Sequence, residues 1–234
     1  MESCIEISKV LYYVSNGFVV KLGSMPELLI FQLIILILSV VIHEVSHGYI
    51  AEYLGDQTAR LAGRLTLNPL KHLDFFGSFL LPLILSLTAG IVFGWAKPVP
   101  YNPRNLKDPV GGGAKIAVAG PISNLVIALV FGTFIRLFAV AGLLSSFLAM
   151  LFGMIVFINI LLAIFNLVPI PPLDGSKVLF AVLPKTESTI RAFIWLERYG
   201  MFIVFLLVFS GFFRFLLPII DLLFLAITGQ QFDV

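Results

Sequence analysis

The hydrophobic pattern of this chain consists of long apolar blocks rather than alternating positions. The first, residues 28–54, opens with the apolar run LLIFQLIILILSVVI and closes on HEVSHGYIAEYLGD, with Gly55 placed to end a helix. Further blocks cover about 114–140, 144–167 and 193–227, the last long enough to tilt or to bend near Pro218. A transmembrane helix needs about 20 apolar residues, so four transmembrane helices are predicted. A fifth apolar stretch, 75–93, is broken by Gly77, Pro82 and Gly90. Between the blocks the pattern changes. In QTARLAGRLTLNPLKHLD, Thr and Leu alternate with Arg and Gly, which predicts short strands or extended turns. GWAKPVPYNPRNLKDPVGGG reads as a loop, and a short amphipathic helix is expected over 176–183. Residues 5–22 carry Glu6, Lys9 and Lys21 and read as an interfacial helix.

The predicted fold class is therefore an all-α polytopic membrane protein, with about four transmembrane helices, a re-entrant apolar segment and a short membrane-associated β region. It reads as a single domain. Its parts are an interfacial segment (1–25), a first helix (27–54), a strand and re-entrant region (56–112), core helices with a proline loop (114–183) and a C-terminal helix (193–228). No internal repeat is visible, which weighs against a transporter.

Composition supports lipid as the solvent. The chain is 59% hydrophobic and 12% charged, with mean hydropathy +1.06, where an average soluble domain is about 25% charged. A net charge of +2 gives no reason to expect a nucleic-acid partner. The single cysteine, Cys4, excludes an intramolecular disulfide, and the N-terminus does not read as a signal peptide. Charge position carries more information than net charge. Eleven of the 15 basic residues fall in the connecting segments 55–74, 95–115 and 169–198, which places all three in the cytoplasm and predicts a multi-pass protein of the cell membrane. Both flanks of 75–93 are then cytoplasmic, so that stretch should dip into the membrane and return. A straight span is the alternative.

The strongest chemical signal is His43-Glu44-Val45-Ser46-His47. Four residues apart on a helix, His43 and His47 share one face, and both imidazoles can reach one zinc ion. Glu44 is placed to act on a zinc-bound water. Ionisable residues at this depth cost roughly 2.5–3.5 kcal/mol each on translocon scales, so their presence argues for function. A purely structural role in bonding between helices is the alternative. A third ligand is expected at similar depth. Asp174 follows Pro169, Pro171 and Pro172, which exclude a regular helix there, and a broken helix beside lipid must line a cavity. It is the candidate ligand; its alternative role is to cap the helix near Ser176. His72 reads as a loop or interfacial residue. Asn124, a second intramembrane amide, reads first as a bond between helices and otherwise as a site residue.

The motifs HEVSHGYIAEYLGD, ARLAGRLTLNPLKHLD, FGWAKPVPYNP, AGPISN and NLVPIPPLDG occur here in that order. From about residue 36 to 211 the chain resembles the site-2 protease family of intramembrane zinc metalloproteases, in its compact form without a PDZ or CBS domain. The resemblance implies one zinc ion per chain held by His43, His47 and Asp174, with Glu44 as general base and Asn166 as a polar active-site residue. It also implies a membrane-dipping sheet after the first span and transmembrane proteins or peptides as substrates. One departure is that Phe75, rather than the proline frequent in the subgroup, follows His72-Leu73-Asp74. The expected function is hydrolysis of peptide bonds in membrane-spanning substrates near the cytoplasmic face. The rivals are a metal-ion or proton transporter using the same cluster, and a catalytically silent scaffold. Substrate identity and oligomeric state are not encoded in these motifs.

Overall fold

A computed structural model describes residues 26–74, 80 and 97–230. The expected interfacial helix before residue 26 and the re-entrant stretch 75–93 lie outside the described residues, apart from Leu80. Seven α-helices are described: α1 (Pro26–Tyr53), α2 (Thr58–Leu61), α3 (Pro109–Val140), α4 (Ser146–Asn166), α5 (Asp174–Val182), α6 (Glu187–Phe209) and α7 (Leu217–Thr228).

Their ends follow local chemistry. Asp108 caps α3 by accepting from Gly111 N–H, with Pro109 in the first turn, where no N–H is needed. Ser145 caps α4 by accepting from Leu148 N–H. The turn joining these helices passes through Gly142 at φ 68°, a conformation suited to glycine.

Among the described residues three helices are long and apolar enough to cross a membrane: Ile30–Tyr53, Pro109–Val140 and Ser146–Asn166. α3 is the central one, packing on α1, α4, α5 and α7. Its buried face is rich in small residues, including Gly112, Gly113, Ala117, Gly120, Ala128 and Gly132, which lets neighbouring backbones approach. Toward its C-terminal half, Ala128 and Ile135 join Val156, Phe157 and Ile160 of α4 and Ile220 and Phe224 of α7 in one apolar cluster. The opposite faces are apolar and open: Ile30, Ile34 and Leu38 of α1, and Ile122, Val126 and Leu129 of α3, are all exposed. In water such faces would form an aggregating patch; in a bilayer they meet acyl chains. The described residues form an all-α membrane fold.

At two places the structure selects between alternatives that the sequence left open. Residues 56–74 form no strand. Thr58–Leu61 is a single helical turn, Gly63 turns the chain at φ 65°, and Pro69–Lys71 is a 3-10 turn. What remains is extended turn. Among the described residues no neighbouring strand offers a backbone ladder to this segment. The C-terminal stretch 193–228 is not one helix. α6 ends at Phe209, the left-handed Gly211 (φ 73°) prevents its continuation, and the 3-10 segment Phe212–Leu216 leads into α7, with Pro218 in its first turn.

Candidate metal centre

His43 and His47 lie on the inward face of α1, opposite the Gly120 region of α3. Their ring centroids are 4.7 Å apart and nearly perpendicular. The helices run antiparallel here: His47 meets Ile116, both rings meet Gly120, and His43 meets Asn124. Gly120 is a requirement of this approach. A Cβ there would lie 2.5 Å from Nε2 of His43 and 2.6 Å from Cε1 of His47.

The third group arrives from across the sequence. Asp174 is the first residue of α5, and Leu173, not Asp174, occupies the cap position. One carboxylate oxygen, Oδ2, stands 3.2 Å from Nε2 of His43 and 3.2 Å from Nε2 of His47. The preceding proline loop reaches this place because two glycines admit its backbone. Gly175 packs against the carbonyl of Leu167, and Gly200 of α6 against that of Pro171. Glu44 completes the group: ligand atoms of His43, Glu44 and His47 all lie within 4.8 Å of one another.

These residues fit a cation. Each histidine commits its Nδ1 elsewhere, His43 to Asn124 Oδ1 at 2.6 Å and His47 to the carbonyl of Ile116 at 2.6 Å. A carbonyl oxygen only accepts, so His47 must carry its proton on Nδ1. In the neutral ring, the form that binds a metal, its Nε2 then carries a lone pair directed at the carboxylate. Lone pairs and a carboxylate oxygen converging without a positive charge between them would repel. A second bond that fixes the imidazole tautomer is the usual companion of a metal-bound histidine.

Glu44 is oriented separately. Its Oε2 accepts from the backbone N–H of Val99 at 2.9 Å. Residues 97–105 are themselves pinned. Arg64 donates to the carbonyls of Lys97 (2.7 Å) and Pro98 (3.4 Å), and Lys97 N–H donates to the carbonyl of His72. Asp56, fully buried, accepts from Asn102 N–H and the Asn105 amide, both at 2.7 Å, and from Thr58. His72 is buried, its Nε2 donating to the carbonyl of Thr66, so it helps shape this loop.

Asn166 ends α4, and its amide donates to the carbonyl of Leu162 in the same helix, at 2.9 Å. It stands seven residues beyond Asn159, so it shares that residue's helical face about 10 Å further along the axis. Asn124 does two things at once, holding His43 and bonding Asn159 of α4. Sequence reasoning missed Asn159, Ser39 and the Val99 amide. Asn159 had a signal, being an amide inside a strongly apolar block. Ser39 has no distinguishing sequence context, and a backbone N–H leaves no trace there.

Comparison with known proteins places the chain in a family. Residues 132–209 match peptidase family M50. The chain is 42% identical over 194 residues to the candidate zinc metalloprotease YwhC of Bacillus subtilis, covering 80% of this chain and 82% of that protein. It is 34% identical to the candidate zinc metalloprotease MJ0611 of Methanocaldococcus jannaschii, over 64% of this chain and 72% of the other. It is 31% identical to the candidate zinc metalloprotease Rip2 of Mycolicibacterium smegmatis, over 73% of this chain and 63% of the other. No solved structure gives a significant match. Nothing in these matches favours the transporter reading. With the histidine and carboxylate constellation on a membrane helix and a relative alike over four-fifths of both chains, the protein belongs to peptidase family M50, the site-2 protease family, and is a membrane zinc metallopeptidase.

Proposed function

We propose that this chain hydrolyses peptide bonds of membrane-spanning substrates close to the cytoplasmic face of the cell membrane. The observation that carries the reading is the convergence of both imidazole Nε2 atoms on Asp174 Oδ2, each at 3.2 Å. His43, His47 and Asp174 would hold one zinc ion, leaving a fourth position open. When bound, zinc lowers the pKa of a coordinated water toward about 7 and polarises a peptide carbonyl.

The chain's own residues supply the rest. Val99 N–H fixes one oxygen of the Glu44 carboxylate, which then takes a proton and later delivers it to the departing amine. Asn166 offers its amide to the developing oxyanion or to the substrate backbone once it leaves the Leu162 carbonyl. Substrate must unwind, because a helix conceals its peptide bonds. The extended turn at 64–67, beside the loop that holds Glu44, is where the unwound backbone would lie.

Depth and sidedness support the cytoplasmic assignment. His47 is six residues, about 9 Å of helix, from the Tyr53 end of its span. That end adjoins the basic segment 55–74. We assign a fourth crossing to α6 together with α7, and a single protease domain to the whole chain. The test is metal analysis of the purified protein together with a panel of membrane-peptide substrates. Glu44→Gln should keep zinc and lose at least ~100-fold in turnover. A Glu44→Gln protein that cleaves at the wild-type rate would refute the assignment, as would a wild type without stoichiometric zinc.

A further inference from the structure

A fully buried polar chain runs away from the metal centre through three helices. From His43 it passes to Asn124 of α3, then to Asn159 of α4, then to Ser39 of α1 one turn before His43. Asn124 and Asn159 have no exposed surface, and Ser39 is 4% exposed. Asn159 donates one amide hydrogen to the carbonyl of Ile155 at 2.8 Å and the other to Ser39 Oγ at 3.0 Å. Its Oδ1 accepts from Asn124 Nδ2 at 2.8 Å. The second hydrogen of Asn124 points to the carbonyl of Ser39, at 3.4 Å.

The direction of every bond in this chain is forced. Ile155 O is a backbone carbonyl and can only accept, so Asn159 must turn its NH₂ toward it and its oxygen toward Asn124. Asn124 must then present NH₂ to Asn159 and its oxygen to His43. An acceptor at 2.6 Å requires a proton on His43 Nδ1, so in the neutral ring it is Nε2 that carries the lone pair facing Asp174 and a metal. An asparagine touching a histidine does not fix a tautomer alone, because its two ends can exchange. Here the exchange would set two oxygens against each other at Ile155.

We propose that Asn159, seconded by Ser39, is a positioning residue: it sets the orientation of the Asn124 amide and thereby the metal-binding tautomer of His43. The inference rests on the assignment of His43 as a zinc ligand. Residues that orient metal-bound histidines typically change metal affinity about 10–100-fold when replaced. Asn159 acts one bond further out, so the low end is expected.

The test is a double-mutant cycle read as Zn²⁺ affinity, by chelator competition on the full-length protein in detergent or nanodiscs. Asn159→Leu should bind Zn²⁺ about tenfold more weakly than wild type. Asn124→Asp presents an oxygen to His43 in either orientation and withdraws the NH₂ that Asn159 Oδ1 accepts from, so in this background Asn159 no longer selects the end that faces His43. In that background Asn159→Leu should change affinity by less than about threefold. An equal loss in both backgrounds would reduce Asn159 to a packing residue, and no loss in either would remove it altogether. Where Asn159→Leu does not fold, Ser39→Ala takes its place, with a loss of about threefold in the otherwise wild-type protein and none in the Asn124→Asp background. Equal losses there overturn the proposal in the same way. His43→Ala separates the two levels of the argument. If it binds Zn²⁺ as tightly as wild type, the ligand assignment fails; if it abolishes binding while Asn159→Leu leaves affinity untouched, only the positioning role fails.

Discussion

At the scale of single residues, the centre depends on one missing side chain as much as on the groups that are present. Gly120 admits both imidazoles to the surface of α3, and a methyl group there would overlap both rings. Alanine favours the helix itself, so α3 can persist while the rings are displaced. Gly120→Ala should therefore leave helical content and expression near wild type while lowering zinc occupancy and peptide cleavage by at least ~100-fold. Circular dichroism alongside metal analysis checks this. That His43, His47 and Asp174 meet was legible because their elements have strong local signatures. The four-residue spacing of His43 and His47 defines a helix face, and three prolines mark Asp174 as sitting past a break. Asn159 was not legible as a partner of Asn124, because a residue number says nothing about which amides meet across two helices.

At the scale of elements, the loop that carries the Glu44 clamp is held as a unit by Asp56. Burial alone would push the Asp56 carboxyl upward, but hydrogen bonds from the Thr58 hydroxyl, Asn102 N–H, the Asn105 amide and Thr58 N–H outweigh it and hold its pKa below the ordinary carboxylate value. A depressed pKa in the folded protein means that Asp56 stabilises the loop above the unfolded value of about 3.9 and loses that contribution as pH falls through the lower folded value. Hydrogen exchange at Asn102 and Asn105 should thus accelerate only well into the acid range, below about pH 4. Asp56→Ala should show the same fast exchange at neutral pH and cost about 1–3 kcal/mol. The helices were largely readable from their apolar blocks and caps. The departures came where context overrode pattern. The Thr/Leu alternation of 56–74 folds as a one-turn helix and turns, since alternation specifies a strand only where another strand pairs with it. Gly211, a single left-handed residue, divides a run that hydropathy presents as continuous.

At the scale of the whole molecule, the proposed topology rests on where charge sits. The single native cysteine, Cys4, makes accessibility mapping practical after its replacement by serine. A cysteine introduced at Lys107 should react with an impermeant maleimide only in inside-out vesicles, and one at Leu143 only in right-side-out vesicles. The reverse pattern would invert the proposed orientation. The residues proposed to hold zinc come from two elements that are distant in sequence. The two imidazoles belong to α1, whereas α5, which brings Asp174, packs chiefly on α3. A bound ion would therefore rivet the proline hairpin to the first helix, and its loss would free that hairpin. Under zinc starvation the apoprotein should be clipped first between Leu167 and Leu173 in limited-digestion experiments, and its cellular half-life should shorten before its synthesis falls. Metal supply would then govern the abundance of the enzyme as well as its turnover.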